Sequence, residues 1–170
     1  MKEKSRTIAL GGVLLALSAA SLFLASFVPG IELSFYALSS FFTAAMVVEA
    51  GAKGGWMFYF ASALLTFFLI PNKGAALLYA VFFGLYALVK FYIEQIGKTP
   101  LEILLKLLFF GSAVFVLLYF FKELFLGAVG IPVEYPLCLL LAASALIFLL
   151  YDYVFTMIIQ FYRHRIQRKV

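Results

Sequence analysis

One cysteine and one histidine in 170 residues leave this chain little with which to do metal or nucleophilic chemistry. Cys138 alone excludes an intramolecular disulfide and a cysteine metal cluster, and gives no information on redox compartment. His164 sits in the basic tail, away from any nucleophile that it could activate. Structural zinc needs four N or S ligands, and covalent catalysis needs a nucleophile, a base and a group to orient it. The glycines of the Glu49–Gly55 turn lack the Lys-Ser/Thr that would make a phosphate-binding loop. The chain reads as a non-enzyme with no cofactor and no metal. Any ATP-driven step would belong to another subunit.

Charge is scarce as well. Only 12% of residues are charged while 66% are apolar, and the mean hydropathy is +1.11. A soluble domain is about half apolar and a quarter charged, so this composition belongs to an integral membrane protein. The net charge of +5 comes from lysines and arginines at the two ends and in short loops beside apolar runs. That distribution matches positive-inside bias, with anionic headgroups as neighbours and no role for nucleic acid.

What the chain does have is long apolar runs. The first, Ile8 to Val28, follows a charged leader, Met1 to Arg6, and contains no charged residue. At 1.5 Å per helical residue it reaches roughly the 30 Å of a hydrocarbon core. It is too long for a signal-peptide core and lacks a clear small-x-small cleavage site, so it is expected to be retained. Gly12, Ala16 and Ala20 recur every four residues within it and form one stripe, where another backbone can approach closely. The stripe would take either a helix of the same chain or a partner subunit.

Along the rest of the chain the apolar runs and their breakers give six helices, at about 7–28, 33–49, 55–70, 74–93, 100–126 and 137–162. Pro29-Gly30, the glycine-rich Glu49–Gly55 turn, Pro71-Asn72-Lys73-Gly74 and Gly97–Pro100 separate the first five. The stretch Gly127 to Pro136 is the longest loop, and helix two is the least well delimited. Pro100 suits the first position of the fifth helix, with Thr99 as its cap and Glu102 in its first turn. The fold class expected is an all-α polytopic membrane protein, one transmembrane domain over residues 1–170. Six spans would put both termini on one side. That side holds every lysine and arginine except Lys73 and Lys122, which makes it cytoplasmic and the protein a multi-pass cell-membrane protein.

Two groups of residues could carry function. Lys106 and Asp152 fall in the inner halves of helices five and six, where an unpaired charge costs at least a few kcal/mol. They could form a structural ion pair, Lys106 could instead pair with Glu102 one turn away, or the two could serve a proton or ion relay. On the outer side, Glu32, Tyr36, Asn72, Lys73, Tyr79, Tyr119, Lys122, Glu123, Glu134 and Tyr135 fall in loops or outer helix turns. Aromatic walls with a few polar groups are the usual lining of a small-molecule pocket, though interfacial tyrosines are normal in any membrane protein.

A six-helix chain of this size that begins Arg6-Thr7-Ile8-Ala9-Leu10-Gly11-Gly12-Val13-Leu14-Leu15-Ala16-Leu17-Ser18 resembles the substrate-binding S components of energy-coupling factor (ECF) transporters. In that family a small-residue face on the first helix, commonly Ala-x-x-x-Ala, meets the coupling helices of a transmembrane T component. Gly12, Ala16 and Ala20 are the matching positions, with Gly in place of the first Ala. The resemblance implies an S-component-like bundle that captures a vitamin-like micronutrient from outside, with a T component and two cytoplasmic ATPases as partners. It also implies that the outer residues named above line the pocket. No signature of a particular vitamin is present, nor the His/Cys cluster of a metal-transporting member. The alternative is a rod-shape scaffold of the MreD type, similar in length and helix number, which would use the same surfaces for cell-envelope proteins.

Overall fold

The structure is a computed structural model, and it describes residues 2–28, 30–120 and 137–167. The described residues are almost all helical, without a strand among them. In order, the elements are α1 (Lys2–Ala25), α2 (Glu32–Leu69), α3 (Lys73–Leu78), a π-helical turn (Tyr79–Phe83), α4 (Gly84–Glu94), α5 (Thr99–Phe120) and α6 (Leu137–Gln167). Among the described residues, five helices are long and apolar enough to cross a membrane: Ser5–Ala25, Glu32–Leu69, Lys73–Glu94, Thr99–Phe120 and Ala142–His164.

α1 and the first half of α2 run antiparallel. Ser18 and Ser39 share a buried hydroxyl–hydroxyl hydrogen bond of 2.6 Å, and nearer the start of α1 a Cβ on Gly11 would lie 3.4 Å from Cε of Met46. Small residues on both helices make this approach possible.

The turn expected over Glu49–Gly55 contracts to one residue. α2 continues through it in helical conformation except at Gly51, whose φ of 72° and ψ of −176° only glycine adopts readily. The chain reverses there, because the two halves of α2 meet the same short segment. Ser40 donates to the carbonyl of Phe83 (2.6 Å), while Tyr59 donates to the carbonyl of Ala80 (2.9 Å) and the hydroxyls of Ser62 and Tyr79 lie 2.8 Å apart. A straight helix would hold Ser40 and Ser62 about 33 Å apart. Gly55 then sits directly against Val47, in a space that a Cβ would already overfill.

α3, the π turn and α4 form one continuous rod. Asn72 caps its start by accepting from the backbone N–H groups of Gly74 and Ala75. Next to it, Lys73 donates to the carbonyls of Phe67 and Ile70 and so closes the end of α2. Ala80 and Phe83, whose carbonyls take the Tyr59 and Ser40 hydroxyls, both belong to the π turn, where the helical ladder is loosened. Gly97, with φ of 70°, follows α4 and precedes α5. α5 is described to Phe120, so the expected continuation to about residue 126 and the loop after it lie outside the described residues.

The core is aromatic, built from Tyr36, Tyr79, Phe82, Phe83, Tyr86 and Phe148. Ser18, Ser39, Ser40, Thr43, Ser62, Thr66, Lys90 and Lys106 are buried, while Phe60, Leu64, Phe68, Phe115, Leu146, Leu150 and Met157 are exposed. Polar groups that turn inward and large apolar ones that turn outward are what a lipid environment selects. The described helices are therefore compatible with a multi-pass membrane protein. Tyr162, late in α6, donates to Glu49 (3.1 Å), two residues before the break at Gly51. With Gly11 against Met46, the start of α1 and the end of α6 lie at the end of the bundle that carries that break.

Candidate functional site

On α4 a four-residue spacing places Tyr86, Lys90 and Glu94 on one face. α5 is largely exposed, and its buried positions Lys106, Ala113 and Leu117 form a single stripe toward α4. α6 contributes Asp152 and Thr156, one turn apart, beside the buried Phe148 and Phe155. Four charges and two hydroxyls from these three helices converge.

Asp152 is the hub. Its Oδ1 accepts from the Tyr86 hydroxyl at 2.5 Å and from the Lys90 ammonium, and its Oδ2 accepts from Lys106 at 2.9 Å. Glu94 Oε1 bridges the same two lysines, 2.7 Å from Lys90 and 3.1 Å from Lys106. The third acceptor for Lys90 is the Thr156 hydroxyl at 2.7 Å, which donates in turn to the backbone carbonyl of Asp152 at 2.8 Å. All three ammonium hydrogens of Lys90 therefore have acceptors, and two cations are balanced by two carboxylates. The Lys90 side chain is 1% exposed, Lys106 7% and Asp152 15%, but Glu94 is 36% exposed. The cluster reaches solvent through Glu94.

Toward the middle of the bundle the cluster is closed by aromatic rings: Tyr86 packs edge-on against Phe148 and Phe155 and at a tilt against Tyr151, with centroids 5.2 to 5.7 Å apart. Phe82 adds contacts to Phe109, Phe110 and Phe148. On the other side, next to Glu94 and Lys90, a cleft of about 30 Å³ opens between α2, α4 and α6, with Arg163 at its edge. This arrangement fastens three helices through balanced charge and leaves one of its carboxylates, Glu94, partly exposed.

Comparison of the chain with protein families, curated proteins and solved structures finds no match. Its reading rests on its own geometry.

Of the residues singled out from the sequence, Lys106 and Asp152 come together in this cluster, and Lys106 turns to Glu94 and Asp152 rather than to Glu102. Lys90, Glu94, Tyr86 and Thr156 were not singled out. The available signal was Lys90 itself, a cation within the fourth apolar run with a carboxylate four residues on.

The outer residues separate into four groups. Tyr36 and Tyr79 are core residues, 2% and 0% exposed. Asn72 and Lys73 carry the capping contacts described above, and Glu32 accepts from the backbone N–H of Gly30 at 2.9 Å. Tyr119 is exposed and stacks on Phe115. Lys122, Glu123, Glu134 and Tyr135 lie outside the described residues. Glu32 begins α2 and Asn72 and Lys73 follow its end, so these three share the end of the bundle opposite Gly51.

On α1, Gly12, Ala16 and Ala20 are all exposed, and nothing lies within 4 Å of where a Cβ on Gly12 would be. The opposite face of the helix, with Ser18, Ser21, Leu22 and Ala25, is buried. The small-residue stripe is thus left uncovered by the described chain.

Proposed function

We propose that this chain is a membrane-embedded substrate-capture subunit, with six crossings and both ends in the cytoplasm, that works in a transporter of the energy-coupling factor kind. In this reading the two halves of α2 are two crossings, each about 27 Å long. A vitamin-like solute is taken at the end opposite Gly51, near Glu32, Asn72, Lys73 and Tyr119, together with Lys122, Glu134 and Tyr135. A transmembrane T component docks on α1, and two cytoplasmic ATPases drive release inside.

The observation that carries this reading is the uncovered stripe on α1. In lipid, helices gain little by burying leucine, and close backbone approach at small residues supplies the contact. The chain uses its first helix's serine face for its own fold and keeps the Gly12–Ala16–Ala20 face outward.

The test is purification of the tagged chain from native membranes in mild detergent, with Ala16→Trp alongside. The expected result is one polytopic subunit and two nucleotide-binding proteins with the wild type, lost with Ala16→Trp while the unfolding midpoint of the variant is unchanged. Undiminished recovery with Ala16→Trp refutes docking on α1. Recovery of cell-wall or cytoskeletal proteins in place of ATPases replaces the transporter reading with a scaffold of the MreD type.

A further inference from the structure

The charge cluster and the cleft beside it carry an inference that does not depend on a transport role. Glu94 differs from the other three charges in being substantially exposed, yet its Oε1 bridges both lysines. If its side chain swings into solvent, Lys90, Lys106 and Asp152 are left with a net charge of +1 inside the bundle. An uncompensated buried charge is strongly unfavourable, so Glu94 can leave only when another anion takes its place. The cleft supplies the route. It opens at Glu94 and Lys90 and holds a second cation, Arg163, which makes no ion pair with a described residue. Glu49, the nearest other carboxylate on α2, is held by Tyr162 and does not line the cleft. A cleft of about 30 Å³ takes one or two waters and so about the bulk of one phosphoryl group. Its remaining walls, Val47, Phe91 and Ile159 among them, are apolar and suit the carbon skeleton attached to such a group.

We infer that this cleft is a binding site for a phosphoryl monoanion, with Glu94 as the internal carboxylate that it displaces and Lys90 and Arg163, which line it, as its cationic partners. The same chemistry is offered by an acidic phospholipid headgroup and by a free phosphate compound.

The wild-type chain, Arg163→Gln and Glu94→Gln would be purified in a neutral detergent. Each would be given dioleoyl phosphatidylglycerol or dioleoyl phosphatidylcholine and analysed by native mass spectrometry for retained lipid. In parallel, thermal midpoints would be read in sodium phosphate and in sodium chloride of equal ionic strength. The expected results are preferential retention of phosphatidylglycerol, or a midpoint raised by phosphate beyond the chloride control. The first names the bilayer as the source and the second a soluble ligand. In either arm Arg163→Gln should weaken the effect about tenfold, as loss of a charge-assisted contact does. Glu94→Gln should strengthen it. Equal retention of both lipids together with equal midpoints in the two salts overturns the inference, and so does an undiminished effect in Arg163→Gln. Should Glu94→Gln fail to fold, the wild type and Arg163→Gln still decide the matter, since Arg163 is exposed and forms no ion pair with a described residue.

Discussion

Replacing Asp152 by Asn removes one negative charge while keeping the shape of the side chain, and the structure allows the consequence to be worked out. Asp152 accepts three hydrogen bonds, from Tyr86, Lys90 and Lys106. The amide retains one acceptor oxygen and presents an N–H₂ group to at least one of these donors. Lys90 and Lys106 then share only Glu94, and the cluster carries an excess positive charge among side chains at most 15% exposed, Glu94 aside. Removing one partner of a buried ion pair costs about 3–5 kcal/mol. Against a total stability of about 5–15 kcal/mol that is a large fraction, and folding yield should fall visibly. The excess charge, rather than the lost hydrogen bonds, is the larger contribution. Lys90→Met placed on Asp152→Asn restores neutrality, because Lys106 and Glu94 remain a pair 3.1 Å apart. The double variant should therefore be more stable than Asp152→Asn alone, with a coupling of about 2–3 kcal/mol between the two positions. Reversible unfolding in mixed detergent, followed by helical circular dichroism for wild type, both single variants and the double, measures this. Additive single effects, or an Asp152→Asn variant within about 1 kcal/mol of wild type, would refute the reasoning that balanced charge holds α4, α5 and α6 together.

Two further outcomes follow from the bundle. At Gly51, where no neighbouring atom is within 4 Å but φ is 72° and ψ −176°, both Gly51→Ala and Gly51→Asn should destabilise by about 1–3 kcal/mol. Equal stability of Gly51→Asn and wild type would mean that the break there is left-handed helical instead, a conformation that Asn tolerates. Between α1 and α2, Ser18→Ala should cost about 1–3 kcal/mol because it leaves the buried Ser39 hydroxyl without its partner at 2.6 Å. The Ser18→Ala, Ser39→Ala double variant should lose no more than the single one, and strictly additive losses in a denaturation series would argue against that hydrogen bond.

Helical content and the positions of most breaks were legible in the sequence, since each depends largely on local composition. Apolar runs free of charge form helices because lipid offers the backbone no hydrogen-bond partner, and Pro71-Asn72 and Gly97-Lys98 lie between them as local breaks. The turn at Gly51 was legible as a glycine-rich stretch but not as a single reversed residue, because its tightness depends on Gly55 lying against Val47. The π turn at Tyr79–Phe83 had no sequence signal, since two of its carbonyls accept from Ser40 and Tyr59 on the two halves of α2.

By itself the sequence determined that charges at Lys106 and Asp152 would lie in apolar helices and would each need a partner. Which partner was decided by tertiary structure alone, because Lys90 and Asp152 are 62 residues apart along the chain and meet only when α4, α5 and α6 are assembled. Likewise, the stripe of Gly12, Ala16 and Ala20 is written in the first helix, but its outward direction is set by Ser18 and Ser39. The physical reason is the same in both cases. Helix formation is a local balance of backbone hydrogen bonding and solvation, whereas the burial of a charge or the exposure of a face depends on every neighbour that assembly brings to it.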